Sequence, residues 1–405
     1  MNKHRGTALL LNVAHALDHM FLLVFATAIG AIAAAFGIAR WEDLMPFGVG
    51  AFALFGLGSL PAGRLGDHWG RRRMMLVFFF GMGASMLLIA LTQGPWQLAA
   101  AMTLMGAFSS IYHPVGIPML VRESPRPGLT IGVNGLAGNL GVALAAITTG
   151  FLVKYAGWRA AFAAPALIAF ACGIVFARIA PGEATPPARR AATQEALPSR
   201  LFAHIFAVVT IASITSGLLF NFTTNGNGEL LRERFSGITA DPAVLGALLA
   251  LVYVAGAFAQ VIVGSLIDRV PLKTLYLAIV VCQVPLFALA AVAQGWALYV
   301  LMVGFMIVVF GAIPFTDAMI VRYVDDRMRS RVSGMRLTVA FGVSSLAVWA
   351  LGPLVKAGGF RTLLFAMAAI AAATSLAVAL LPRTARRRNT AVTAAELQQL
   401  PPAAD

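Results

Sequence analysis

Apolar runs long enough to cross a bilayer recur along the whole chain, and nothing else in the sequence constrains the fold as tightly. Twelve are legible, at 7–36, 44–65, 74–93, 96–121, 128–153, 159–180, 201–226, 243–267, 273–294, 296–321, 331–355 and 360–382. About 20 residues of helix span the hydrocarbon core. With no water there to satisfy an open backbone group, each run is predicted to be helical. Soluble amphipathic helices carry a polar stripe, and these runs largely lack one. The composition agrees: 60% of residues are hydrophobic, 11% are charged and the mean hydropathy is +0.84, against about 45–50% apolar residues in soluble domains. The expected fold class is an all-α polytopic membrane protein with twelve transmembrane helices.

The opening "MNKHRGTALLLNVAHALDHMF" pairs a basic tip with an apolar run, as a secretory leader does. The run is too long for one and is interrupted by Asn12, His15, Asp18 and His19, so it reads as the first span. Cys172 and Cys282 fall inside spans, read as small buried apolar residues, and make neither a disulfide framework nor a metal site. Placing both termini in the cytoplasm puts 23 of the 30 basic residues on inner loops and helix ends and 7 on the outside. That bias follows the positive-inside rule. The net charge of +14 needs no nucleic acid, because anionic headgroups of the inner leaflet account for it. The expected location is a bacterial-type inner membrane.

The chain repeats itself. Gly63 and Asp67 in "GRLGDHWGRRR" return 201 residues later as Gly264 and Asp268 in "GSLIDRVPLKT", and Arg72 meets Lys273. "LVKYAGWRAAF" (152–162) returns as "LVKAGGFRTLLF" (354–365), with Lys154, Gly157 and Arg159 mapping onto Lys356, Gly359 and Arg361 at an offset of 202. Pro114 and Arg122 map onto Pro314 and Arg322. Two six-helix units in the same orientation follow, related by a pseudo-two-fold axis along the membrane normal. The predicted layout is a first half over 1–180, a cytoplasmic linker over 181–200, a second half over 201–382 and a disordered cytoplasmic tail over 383–405. Parallel repeats suit a transporter that rocks one half against the other around a central site. A channel would need a pore-lining filter, and none is apparent.

"GRLGDHWGRRR" resembles the signature between the second and third helices of the major facilitator superfamily, and the degenerate copy at Gly264–Lys273 is similar to that family's second-half version. The resemblance covers about 7–382. Physically, Gly63 lets two helices approach, Asp67 at a helix end can accept from a neighbouring helix N-terminus, and Gly70 turns the chain. Arg71, Arg72 and Arg73 hold the loop on the inner surface, either as a topology-setting basic run or as part of a latch. The resemblance implies the latch, joining the halves on the cytoplasmic side through Gly63, Asp67, Gly70 and Arg71–Arg73, with Gly264, Asp268, Arg269 and Lys273 as the second-half counterpart.

"GAFSSIYHPVGIPMLV" (106–121), with "NVAHALDHMF" in the first span, resembles the fosmidomycin-resistance-like branch. The first half of the fourth span carries no arginine, and the fifth lacks the Gly-Pro pair of drug exporters. Both departures weaken drug export without weakening transport. Ionisable groups inside the membrane are costly and mark functional sites by default. Asn12, His15, Asp18 and His19 share one broad face of the first span. At about 1.5 Å per residue, His15 and His113 lie at similar depth, and the resemblance brings their helices face to face. Asp18, His15, His113 and His19 are therefore the candidates for proton coupling; the alternative is a hydrogen-bonded group that pins two helices together.

Asn12, Tyr112, Asn134, Asn139, Asn221, Asn225, Gln260, Asp317 and Arg336 are candidate substrate contacts. The stretch "FNFTTNGNGELLRER" (220–234) reads as a broken or fraying end of the seventh helix. Asp317, five residues before Arg322, reads first as a local ion pair with it at the inner end of the helix and only then as a substrate contact. No lysine or arginine falls near mid-depth, so a neutral, zwitterionic or cationic solute fits more easily than a strongly anionic one. The leading reading is a proton-coupled secondary transporter of a small organic molecule working by rocker-switch alternating access, an exporter before an uptake symporter. It is expected to act as a monomer in the lipid bilayer, with no metal and no cofactor beyond the proton gradient. A non-transporting receptor or scaffold is the reading from another class. No nucleotide-binding loop, zinc motif or nucleophile elbow appears, which argues against an enzyme or an ATP-driven pump.

Overall fold

The computed structural model describes residues 3–122, 124, 126–182, 199–267, 269–323 and 326–381. Asp268, most of the 181–200 linker, the 383–405 tail, and the side chains of Asp317 and Arg336 lie outside the described residues.

Every described element is helical. The first half comprises α1 (Lys3–Ala35), α2 (Val49–Trp69), α3 (Arg71–Leu91), α4 (Pro95–Val121), α5 (Pro127–Ala156) and α6 (Trp158–Ile179). A short helix, Trp41–Leu44, and a 3-10 turn, Met45–Gly48, lead into α2. The second half holds α7 (Ser199–Arg234), α8 (Pro242–Ile267), α9 (Leu272–Ala290) and α10 (Gly295–Tyr323). The rod Asp326–Ala379 then folds at Gly359 (φ 70°, ψ 173°) into α11 (326–358) and α12 (360–379). A positive φ favours glycine, and Gly157 (φ 81°, ψ 166°) makes the matching turn between α5 and α6. The repeat seen in sequence is thus a repeat in backbone geometry. Among the described residues, ten helices are long and apolar enough to cross a membrane, the folded rod counting as one of them. Separating its two limbs and adding α7 gives the twelve crossings expected.

Two corrections concern local structure. The α7 stretch 220–234 neither breaks nor frays, because the helix runs unbroken to Arg234. Its polar side chains bond back along their own ladder: Asn221 to Gly217 O (2.9 Å), Thr224 to Phe220 O (2.7 Å) and Asn225 to Asn221 O (3.0 Å). Such back-bonding satisfies the side chain without unwinding the backbone. Cys282, expected to be buried, is exposed, whereas Cys172 is half-buried.

The repeated basic position has a use inside each half. Arg72 donates from Nε to Ala180 O (2.9 Å) and from Nη2 to Ala177 O (2.5 Å), at the C-terminus of α6. Lys273 donates to Ala379 O (2.6 Å) and Leu381 O (2.5 Å), at the C-terminus of α12. Each cation thereby satisfies helix-end carbonyls and sits at the negative end of the dipole. Gly70, between α2 and α3, has φ 87° and makes the turn expected of it. A Cβ on Gly63 would come 3.4 Å from the Pro114 side chain, so α2 and α4 approach closely there. Asp67 and Arg73 are exposed, as are Arg269 and its loop neighbour Pro271.

The halves meet through α5 against α8, α2 against α11 and α1 against α7. At the end away from the chain termini, Lys154 of α5 pairs with Asp241 before α8, and Lys356 of α11 pairs with Asp43 before α2 (2.5 Å). The two ion pairs are related by the repeat. Gly150 and Gly352, 202 residues apart, sit beside them. A Cβ on Gly150 would collide with Pro242 O, and one on Gly352 with Glu42 O. The hydrogen bond from Lys154 holds the Asp241 carboxyl below the usual carboxylate range. A carboxylate with a lowered pKa contributes above its unfolded value and loses that contribution as pH falls through the folded one. The distance across this end is therefore expected to be flat at neutral pH and to grow on acidification below about pH 4. Spin-label distances in the wild type and Asp241→Asn check this, the variant being pH-insensitive.

Candidate functional site: a polar cluster at mid-depth

The site is assembled where α1, α4 and α5 touch. Pro114 interrupts α4, because it has no N–H to give the carbonyl one turn back. The chain responds with a π turn over Tyr112–Gly116, a distortion frequent at functional sites. Consecutive residues of an α-helix point about 100° apart. Here the rings of Tyr112 and His113 both reach His15, at centroid distances of 4.8 and 5.1 Å.

Glycine makes the approach of α1 to α5 feasible. A Cβ on Gly138 would lie 2.6–2.9 Å from three atoms of the His15 ring. With that space open, His15 Nδ1 donates to Asn134 O at 2.7 Å. A carbonyl only accepts, so Nδ1 carries the proton and a neutral His15 presents a lone pair at Nε2. His19 Nε2 lies 3.1 Å from it and is the donor of that bond. Gly138→Ala is expected to displace the His15 ring and to reduce transport by about 5–150-fold, the equivalent of about 1–3 kcal/mol of overpacking. Purified-protein yield and thermal unfolding would separate this from failure to fold.

Asn134 is the hub. Its Nδ2 donates to Asn12 Oδ1 (3.0 Å) and Tyr112 Oη (2.7 Å), and Tyr112 Oη donates to Leu11 O (2.8 Å). Asp18 is fully buried and accepts a hydrogen bond from Ser109 Oγ at Oδ1. Its Oδ2 lies 3.8 Å from His113 Nε2 and has no hydrogen-bond partner. His19 and His113 keep partial exposure, whereas His15 is buried. From the other half, Gln260 of α8 accepts from Asn139 of α5.

All four candidate coupling residues thus come together, and with them Asn12, Tyr112 and Asn134, whereas Asn139 and Gln260 bond to each other across the two halves. Asn221 stands apart, joining α7 to α11 by a bond to Ser344 Oγ (2.8 Å), and Asn225 stays within the α7 ladder. Reading the sequence alone misses Ser109 and Gly138. Ser109 was visible as a hydroxyl one turn before the His-Pro pair; Gly138 was one glycine among several in α5. A different space, a cavity of about 510 Å³, lies at the far end between α1, α5, α7 and α8. It is lined by two buried carboxylates with guanidinium partners, Glu42 with Arg40 and Glu229 with Arg232. Chemically, the mid-depth cluster can exchange protons among four titratable groups, and its three imidazoles lie close enough to hold a metal ion.

The Major Facilitator Superfamily model matches residues 10–231 and 229–404. A probable actinorhodin transporter of Streptomyces coelicolor is 34% identical over 120 residues, covering 28% of this chain and 21% of that protein. The multidrug resistance protein MdtG of Salmonella paratyphi A is 24% identical over 270 residues, covering 64% of this chain and 65% of that protein. The chain thus matches between a fifth and two thirds of the length of these relatives. Among solved structures, a bacterial homologue of the human lysosomal transporter Spinster, inward-facing and occupied, superposes with a TM-score of 0.74 at 14% identity, covering 93% of this chain and 96% of that one. The nucleoside transporter NupG does so with a TM-score of 0.71 at 14% identity, covering 93% and 99%. With a family match across both halves and a two-half helical architecture that fits twelve crossings, this chain belongs to the Major Facilitator Superfamily, a family of multi-pass membrane transporters and not of enzymes.

Proposed function

We propose that this chain is a secondary active exporter of small organic molecules, driven by proton entry and working as a monomer by alternating access in a bacterial inner membrane, with both termini cytoplasmic. The observation that carries this reading is Asp18: a carboxylate buried at mid-depth of α1, held by Ser109 at one oxygen and facing His113 with the other. A charge in that position is too costly to keep without a function. The pseudo-symmetric ion pairs at the far end supply a contact that can open as the halves rock. On the opposite side, the Gly63–Arg73 loop and its counterpart around Arg269 serve as the cytoplasmic latch.

Export is favoured over uptake because relatives in the comparison are named as resistance proteins, the multidrug resistance protein MdtG and the puromycin resistance protein of Streptomyces alboniger among them. The substrate is a neutral, zwitterionic or cationic organic solute, in keeping with amides, imidazoles and one carboxylate as the polar groups of the cluster. The test is growth of a pump-deficient bacterium expressing the chain, against a panel of toxic solutes that includes fosmidomycin. Protection that a protonophore abolishes supports the proposal; sensitisation to a solute moves the assignment to uptake.

A further inference from the structure

We infer that the imidazoles of His15, His19 and His113 form a binding site for one divalent transition-metal ion of the zinc class, at mid-depth between α1 and α4. Four separate observations converge on it. The ligand nitrogens of the three rings lie within 4.8 Å of one another. His15 and His19 are four residues apart on one helix face, the spacing by which two histidines chelate a single zinc ion in helical metal motifs. Their Nε2 atoms stand 3.1 Å apart; two nitrogens about 2.0–2.1 Å from a tetrahedral zinc ion are separated by about 3.3–3.4 Å. Finally, His15 Nδ1 is already tied to a backbone carbonyl, Asn134 O, as the distal nitrogen of metal-bound histidines usually is.

The protons balance simply. The proton that now lies between the two Nε2 atoms must leave the line that the ion would occupy. Moving the His19 proton from Nε2 to Nδ1 accomplishes this with no net release and leaves both Nε2 lone pairs on the ion. His113 comes from the π turn of α4 and closes the third position. Asp18 Oδ2, 3.8 Å from His113 Nε2, brings a negative charge beside the cation where the low dielectric strengthens the attraction. Three protein nitrogens leave the fourth coordination position open, as in zinc sites that bind a further molecule. Imidazole donors suit zinc, copper and nickel, whereas magnesium and calcium prefer oxygen. Metal and proton are alternative occupants of this cluster, since ligands must be deprotonated to bind. Metal binding at the cluster stands whether or not the chain exports organic solutes.

The test uses the full chain, purified in detergent on an affinity tag without histidines and stripped with a chelator. Zn²⁺ is titrated calorimetrically, and Co²⁺ by the visible absorption of a tetrahedral site. One ion per chain is expected, with magnesium inert at the same concentrations. Removing a neighbour of a metal ligand lowers affinity about 10–100-fold, so His19→Ala and His113→Ala are each expected to lower it by more than about 100-fold and to abolish the cobalt bands. His68→Ala, at the exposed end of α2, should bind like the wild type. His19→Gln and His113→Gln keep the side-chain volume if an alanine variant does not fold. Absence of a stoichiometric cobalt spectrum in the wild type overturns the site, as does a spectrum unchanged by the His113 and His19 substitutions.

Discussion

Asp18→Asn is expected to abolish gradient-driven transport while leaving solute exchange across the membrane intact. Asparagine keeps an oxygen for the Ser109 hydroxyl, so the contact between α1 and α4 survives and the protein should purify normally. What disappears is the negative charge facing His113 and its ability to take up a proton. Losing a buried charged partner costs about 1.5–3 kcal/mol, or about 10–150-fold in an equilibrium, and net export should fall by at least that factor. Reconstituted vesicles provide both readouts: solute movement driven by an imposed pH gradient, and counterflow at equal pH on the two sides. If both fall together at matched protein level, Asp18 is a structural joint between helices. If neither falls, the carboxylate has no part in coupling.

The second large effect lies at the far end. Gly150→Ala and Gly352→Ala each place a methyl group where the backbone oxygen of the facing half now sits, Pro242 O and Glu42 O respectively. A side chain can swing away from such a collision; a helical backbone cannot, unless the halves part. Overpacking costs about 1–3 kcal/mol per site, and the two glycines meet different neighbours, Pro242 and Glu42, so their costs should add. The double variant should disfavour the closed far end by about 2–6 kcal/mol, a shift of at least about 30-fold. A cysteine placed at Thr27, beside the far-end cavity, should then react with a membrane-impermeant maleimide much faster than in the wild-type background. Equal reaction rates would mean that these glycines do not set the closure. The ion pairs beside them have smaller effects, because exposed pairs contribute about 0.2–1 kcal/mol each. Reversing one pair, as Lys154→Asp with Asp241→Lys, should leave transport near the wild-type level, whereas either change alone should raise maleimide reactivity modestly.

How much of this was legible in the sequence differs from element to element. The twelve crossings were, because hydrocarbon admits only self-satisfied helices and apolar length is written in one dimension. The two-fold repeat was too, since Gly157 and Gly359 occupy turns that require positive φ and the offset survives in the chain. The pairing of His15 with His113 followed from equal depth plus the family resemblance. α7 misled the reading, because asparagine, threonine and glycine favour turns in water. Inside a packed bundle the same side chains bond to their own ladder, and the helix continues to Arg234.

Legible in the linear chain were the apolar runs long enough to span a bilayer, the spacing of polar residues along each of them and the positions at which the two halves correspond. All of those are properties of helical rise and of apolar length along one chain. Which helix faces meet became visible in the packed helices alone. Gly138 opens the space for the His15 ring, the π turn at Pro114 carries Tyr112 and His113 to the same neighbour, and Asn134 of α5 ties α1 to α4. The hydrogen bonds among those contacts join residues from 22 to 122 positions apart. They depend on rotation about helix axes and on one inserted residue in a backbone turn, neither of which a linear pattern encodes.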